Sequence, residues 1–89
     1  MVRGTKRTTG LGQDSAAVAF GRAVSQLRAK VGISQEELAF RSGSNRTYVS
    51  EIERGAKEPC LGTIRKLASS LGLEPSELLR LTEDLLAGR

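Results

Sequence analysis

The stretch QEELAFRSGSNRTYVSEIER, residues 35–54, carries the strongest local signals for the fold of this chain. Its apolar residues form two pairs at helical spacing, Leu38 with Ala39 and Val49 with Ile52. Gly43 stands between the pairs and supplies the positive φ that a tight turn needs, without a Cβ penalty. The pattern predicts two short helices packed at a steep angle across a turn, which is a helix-turn-helix.

Capping residues precede both predicted helices. Ser34, followed three residues later by Glu37, is a capping box, in which the hydroxyl accepts from one free backbone N–H and the carboxylate from another. Asn45 is placed to cap the second helix. Ala39 lies where the two helices must approach closely, so a larger side chain there would force them apart.

The second helix, predicted over residues 46–54, has two chemically different faces. Val49 and Ile52 share the side that packs against the rest of the protein. The opposite side gathers polar residues: Arg46, Thr47, Ser50, Glu51 and Arg54. One face is therefore suited to packing and the other to contacting a ligand.

The motif resembles the DNA-binding core of phage-repressor and Cro-type regulators, with SQEELA opening helix two and RTYVSEIERG running through helix three. The flanking sequences extend this likeness over residues 20–79. The resemblance implies a lambda-repressor-like, all-α bundle of five helices that binds double-stranded DNA as a transcriptional regulator. Within the family, the chain length and the RTY-S run are most similar to controller proteins of restriction–modification systems. The sequence departs from the family pattern at Ser44, usually apolar, and at the caps Cys60 and Glu74, usually Ser or Asp.

Three further helices are predicted around this pair. Helix one covers residues 15–30 and ends at Gly32, and its buried stripe comprises Phe20, Val24, Leu27 and Val31. Helix four covers residues 61–71, and helix five covers residues 75–86, with a proline at its first position. Two arginines off the stripe of helix one are expected to be solvated, Arg22 and Arg28.

The net charge of +4 and the pI near 9.8 suit a polyanionic partner. Residues 1–30 hold six basic side chains against Asp14 alone, a surplus of +5, so the remaining residues sum to −1. Affinity is therefore expected from placed contacts, from helix N-termini and from the basic leader. The predicted domain, residues 14–89, follows a flexible leader, residues 1–13, which is either a solvated tail or an arm that contacts DNA.

Composition also excludes several function classes. With no histidine and one cysteine, Cys60, the chain can form no intrachain disulfide, no usual zinc ligand set and no Ser-His or Cys-His nucleophile pair. We therefore expect no enzyme activity, metal, cofactor or small-molecule ligand. No run is long enough to span a membrane and residues 1–14 lack the apolar core of a signal peptide, so a soluble, cytoplasmic protein is expected.

In such a regulator, the N-terminal end of the second motif helix enters the major groove. The residues expected to read bases are Arg46, Thr47, Ser50 and Glu51. Arg46 can donate to guanine O6 and N7, and Thr47 offers a hydroxyl or a methyl group. Glu51 can accept from cytosine N4, or it can pair with Arg54.

A second set is expected to contact phosphate oxygens, which set the register rather than the sequence. These residues are Gln35, Asn45, Tyr48, Arg54 and Lys57. Each has a structural alternative: the Tyr48 ring can simply pack, Asn45 can only cap, and Lys57 can be solvated. Glu53 with Arg54 can equally be a local surface pair of little energetic value.

Helix five has an apolar arc of about 160°, wider than the roughly 100° that one packed face needs. Its leucines are therefore expected to form a homodimer interface: Leu78, Leu79, Leu81, Leu85 and Leu86. The alternative is a fully packed monomer. Twofold dimers are the commonest assembly, and this fold reads paired half-sites, so a near-palindromic operator is expected.

Two alternatives to a restriction–modification controller stay open. One is an autorepressor of the antitoxin, phage or plasmid type, which the neighbouring genes would distinguish. The other is a protein-interaction module that uses the same helices without binding DNA. Whether the protein activates or represses transcription, and which operator it binds, do not follow from the sequence.

Overall fold

The computed structural model describes residues 13–88 of the chain. These residues form five α-helices: α1 (Gln13–Val31), α2 (Gln35–Ser42), α3 (Arg46–Glu53), α4 (Leu61–Ser70) and α5 (Pro75–Leu86). The predicted all-α, five-helix fold is confirmed. The basic leader lies, except for Gln13, outside the described residues, so its boundary and its contact with DNA stay predictions.

The two helices of the helix-turn-helix, α2 and α3, have the boundaries that their capping residues and Gly43 predict. The Ser34 hydroxyl accepts from the Glu37 backbone N–H at 3.0 Å, and Asn45 Oδ1 accepts from the Tyr48 N–H at 2.8 Å. Gly43 takes a φ of 73° and ends α2. One part of the predicted capping box is wrong, because the Glu37 carboxylate instead accepts from Arg41 Nε at 2.9 Å, one turn along the helix.

The core lies where all five helices meet. α1 packs on α3 and α5, α2 packs on α3 and α4, and α4 packs on α5. The largest fully buried side chains are Val24, Leu38, Val49, Ile52, Leu67 and Leu78. Val31 was predicted to be buried but is exposed, because α1 ends there and the chain turns away at Gly32.

α1 approaches the end of α3 closely at Gly21. A Cβ atom at this position would overlap the Ile52 carbonyl oxygen and would lie 2.6 Å from the Glu53 carbonyl oxygen. Backbone atoms cannot move aside as a flexible side chain can, so only glycine allows α1 to lie this close. The need for glycine here was not predicted.

The two unusual caps differ in how they hold their helices. The side chain of Cys60 does not cap α4, and its Sγ lies 3.3 Å from Thr63 Oγ1. This hydrogen bond, helped by backbone N–H groups, lowers the pKa of the exposed thiol. At α5, Glu74 and Glu77 form a capping box, in which the Glu77 carboxylate accepts from the Glu74 N–H at 2.8 Å. None of the helices in residues 13–88 is both long and apolar enough to cross a membrane.

Candidate nucleic-acid interface

The exposed face of α3 carries the residues predicted to read bases. Arg46 and Thr47, in its first turn, are exposed, and Ser50 and Glu51 in the next turn are half-buried. Their apolar neighbours on the opposite face, Val49 and Ile52, are buried in the core. The structure therefore brings the four polar side chains together on one accessible surface, which we call the α3 face.

Local contacts order the C-terminal end of the α3 face. Arg54 Nε lies 3.4 Å from Ser50 Oγ, and Lys57 Nζ lies 4.0 Å from Glu51 Oε1. The partner of Glu51 is thus Lys57 and not Arg54. The Lys57 side chain is 53% exposed and that of Glu51 30%, and the two atoms are 4.0 Å apart, so the pair contributes little to stability and can be exchanged for a ligand contact.

The residues predicted to bind phosphate lie around the α3 face. They differ in which of their polar groups are already used in contacts within the protein. Asn45 uses its carbonyl oxygen to cap α3, which leaves its amide N–H groups for another acceptor. Tyr48 is half-buried and packs against the core. Its ring therefore has the packing role that was given as the alternative to phosphate binding. Gln35 begins α2, and its Nε2 donates to Glu53 Oε1 at 2.9 Å.

A buried ion pair between α1 and α3 was not predicted. Arg28 Nε and Nη2 donate to the two Glu53 carboxylate oxygens at 2.6 and 3.1 Å, and Nη1 donates to the Ile33 carbonyl at 2.9 Å. The Glu53 side chain is 7% exposed and that of Arg28 20%. The hydrogen bond to Glu53 raises the pKa of Arg28, although burial opposes the shift.

Two sequence-based interpretations are therefore corrected. Arg28 is not a solvated surface residue, and Glu53 is not a local partner of Arg54. No spacing rule within one helix finds this pair, because its members are 25 residues apart in the chain. Arg22, by contrast, is exposed as expected.

The leucines of α5 divide between core and surface. Leu78 is completely buried in the monomer, so its assignment to a dimer interface is wrong. Leu81 and Leu85 are partly buried and pack against the core. Leu79 is 39% exposed and Leu86 47% exposed. The apolar arc of α5 is wide because one side of it faces the core. The part left for a dimer interface is smaller than predicted.

The described residues contain no candidate metal centre. Within residues 13–88, no three or more Cys, Asp or Glu side chains form a group that could hold a metal ion. The packed α2–α3 pair with a polar outer face instead defines a helix-turn-helix protein.

Comparison with known proteins agrees with this class. The helix-turn-helix family model matches residues 24–78, and the chain belongs to this family. Control protein C.BamHI of Bacillus amyloliquefaciens is 45% identical over 64 residues, which cover 71% of this chain and 79% of that protein. These matches confirm the predicted resemblance to helix-turn-helix transcriptional regulators.

Two solved structures extend the match to the tertiary fold. The restriction–modification controller protein C.AhdI from Aeromonas hydrophila is 48% identical, with a TM-score of 0.68 over 70% of this chain and 94% of that chain. The clp gene regulator ClgR from Corynebacterium glutamicum is 30% identical, with a TM-score of 0.78 over 81% of this chain and 77% of that chain. The fold is therefore that of DNA-binding transcriptional regulators.

Proposed function

We propose that this protein is a homodimeric transcriptional regulator that binds a near-palindromic operator and controls a restriction–modification system. The proposed DNA binding rests on the α3 face, where the exposed residues Arg46 and Thr47 lie in the first turn of a capped helix. An exposed arginine and hydroxyl at this end suit the edges of bases in the major groove. The controller assignment is supported by the likeness to C.BamHI and C.AhdI.

Phosphate contacts hold α3 in register in this proposal. Asn45 and Tyr48 lie at the N-terminal end of α3, whereas Gln35 is bonded to Glu53 at its C-terminal end. Arg54 and Lys57 follow that end in the chain. Their N–H and O–H groups donate to the phosphate oxygens of the DNA backbone on each side of the groove. Residues 31–89, which hold all five of these side chains, sum to −1, so in this proposal their contribution comes from placed contacts and not from bulk charge.

A second copy covers the surface between α1 and α5. Leu79 lines one groove there with Phe20, and Leu86 lines another with Val18, which is itself exposed. We call Val18, Leu79 and Leu86 the α1–α5 patch. A twofold axis through this patch would pair two α3 faces and so require two related half-sites.

Selection from random duplex DNA followed by footprinting tests the function. The expected result is one enriched near-palindromic motif with protection of two half-sites at a stoichiometry of two chains. Enrichment of no motif at low salt, with the protein dimeric, would contradict DNA reading and favour a module that binds another protein. Binding to the promoter of its own gene and to that of an adjacent endonuclease gene tests the controller assignment, and an adjacent toxin gene would contradict it.

A further inference from the structure

The buried Glu53 carboxylate joins three helices at one point. Its Oε2 accepts from Arg28 Nε, and its Oε1 accepts from both Arg28 Nη2 and Gln35 Nε2. Because both oxygens are bonded and the side chain is only 7% exposed, the carboxylate has little freedom to reorient. The end of α3 is thereby tied to the end of α1 and to the first residue of α2.

Gln35 is held from two directions by this cluster. Arg28 Nη1 donates to the carbonyl oxygen of Ile33, which fixes the backbone two residues before Gln35. Glu53 accepts from the Gln35 carboxamide itself at 2.9 Å. The amide nitrogen carries two N–H groups, and in a planar carboxamide the direction of the first sets that of the second. Gln35 is half-buried, so part of the residue is accessible at the surface.

We propose that Glu53, held by Arg28, is a positioning residue that aims the free N–H of Gln35 at a DNA phosphate. The inference rests on the proposed DNA binding and deepens it. A glutamine that is ordered before binding loses less rotamer entropy when it takes up the phosphate. The ion pair therefore affects affinity through a residue that it orients, although neither Arg28 nor Glu53 contacts DNA.

Charge explains why Glu53 needs Arg28 in this position. A carboxylate beside a phosphate site would repel the ligand, whereas the bidentate pair is neutral as a unit. Glu37, in the first turn of α2, is likewise paired with Arg41 at 2.9 Å. These pairs thus compensate Glu53 and Glu37, whereas Glu36, which also lies in the first turn of α2, has no ion pair among the described residues.

The alternative is an ion pair that only stabilises the fold, and a charge-neutral replacement separates the two roles. Arg28→Met combined with Glu53→Leu removes the hydrogen bonds, keeps similar side-chain volume and leaves the net charge unchanged. Replacing both members of a buried pair by apolar groups is often neutral for stability. Urea unfolding of the pair variant verifies that it is folded.

Affinity for the selected operator then distinguishes the roles. Positioning predicts that the pair variant binds about tenfold more weakly than wild type, as Gln35→Ala does, because a hydrogen bond to a charged group is lost. Adding Gln35→Ala to the pair should weaken binding no further. Gln26→Ala, at an exposed glutamine on α1, is the matched control and should bind as wild type does. Wild-type affinity in a folded pair variant would overturn the proposal while leaving DNA binding intact.

A measurement without DNA keeps the test independent of variant folding and of operator choice. ¹⁵N relaxation of the Gln35 side-chain amide in the free wild-type protein should give an order parameter near that of rigid groups, about 0.85, and Gln26 a value below about 0.6. A mobile Gln35 amide would overturn positioning even if the protein binds its operator. Failure of the wild type to bind any duplex would instead overturn the proposed function, and the phosphate role of Gln35 with it.

Discussion

In our proposal, recognition of the operator sequence depends most on Arg46. It is the first residue of α3, its side chain is exposed, and it lies on the α3 face. A guanidinium in this place can donate to two acceptors on one guanine, which a phosphate contact cannot mimic.

We therefore expect Arg46→Ala to lose about 1–3 kcal/mol of binding free energy on the selected operator and to relax the preference at one base pair. Competition binding on the operator and its single-base variants measures both effects. Arg65→Ala, at an exposed arginine on α4, is the control for loss of one positive charge. Equal losses on operator and random duplex would contradict base reading by Arg46.

Asn45 combines a structural and a proposed binding role that one substitution can separate. In Asn45→Asp the carboxylate still accepts from the Tyr48 N–H and favours the helix dipole, so the free energy of unfolding should change by less than about 0.5 kcal/mol. The amide donor is replaced by a negative charge, so binding should weaken by about 1.5–3 kcal/mol on specific and random DNA alike.

Paired urea unfolding and titration of both duplexes test this expectation. Asn45→Ala is the complementary variant, because it removes the cap and should cost about 0.5–2 kcal/mol of stability. If Asn45→Asp binds DNA as tightly as the wild type, Asn45 acts only as a helix cap.

At the level of the helices, the position of α3 depends on how closely α1 can approach it. Gly21 allows contact with the last carbonyl groups of α3, and the same end of α3 carries the Glu53 ion pair. The two features act on one junction, so the orientation of the α3 face depends on α1, which has no predicted contact with DNA.

Gly21→Ala should destabilise the protein by about 1–3 kcal/mol or more, since the added methyl meets backbone carbonyl oxygens that cannot move aside. Gly62→Ala on α4 is the matched control, because the nearest atom to its Cβ is Cys60 Sγ at 4.0 Å. There the same change should stabilise the helix by about 0.5–1 kcal/mol. Urea unfolding of both variants measures the difference, and equal effects would show that α1 does not constrain α3.

For the whole molecule, the neighbouring residues Leu78 and Leu79 have opposite roles. Leu78 is fully buried among the helices, whereas Leu79 lies on the α1–α5 patch with Leu86. The patch includes apolar side chains from two helices that are far apart in the chain, Val18 among them. A dimer through this surface would therefore form only between folded monomers.

Replacing Leu79 and Leu86 together by Glu should give a folded monomer that binds the operator far more weakly than the dimer does. Charged groups would have to be desolvated at the contact, while the core is untouched. Analytical ultracentrifugation and thermal unfolding measure the two properties. Leu78→Ala should instead cost about 2–5 kcal/mol of stability by leaving a cavity. A dimer that persists in the double glutamate variant would place the interface elsewhere.

Most of the fold could be predicted because its signals are local. The Ser34 and Asn45 caps bond backbone groups three residues away, Gly43 turns the chain within one residue, and the apolar positions repeat with the helical period. The same locality explains the prediction of the α3 face. Once Val49 and Ile52 face the core, Thr47, Ser50 and Glu51 lie on the outer side.

The remaining features depend on how helices distant in the chain pack together. Helical periodicity gives α5 a wide arc of leucines, but only its contacts with α1 and α4 show that Leu78 is inside and Leu79 outside. The same holds for Arg28 and Glu53, which meet only because α1 and α3 cross near Gly21. Helix caps and turns are made between residues that are near neighbours in the chain, so the local sequence determines them. A buried ion pair and an exposed patch exist only after the helices have packed.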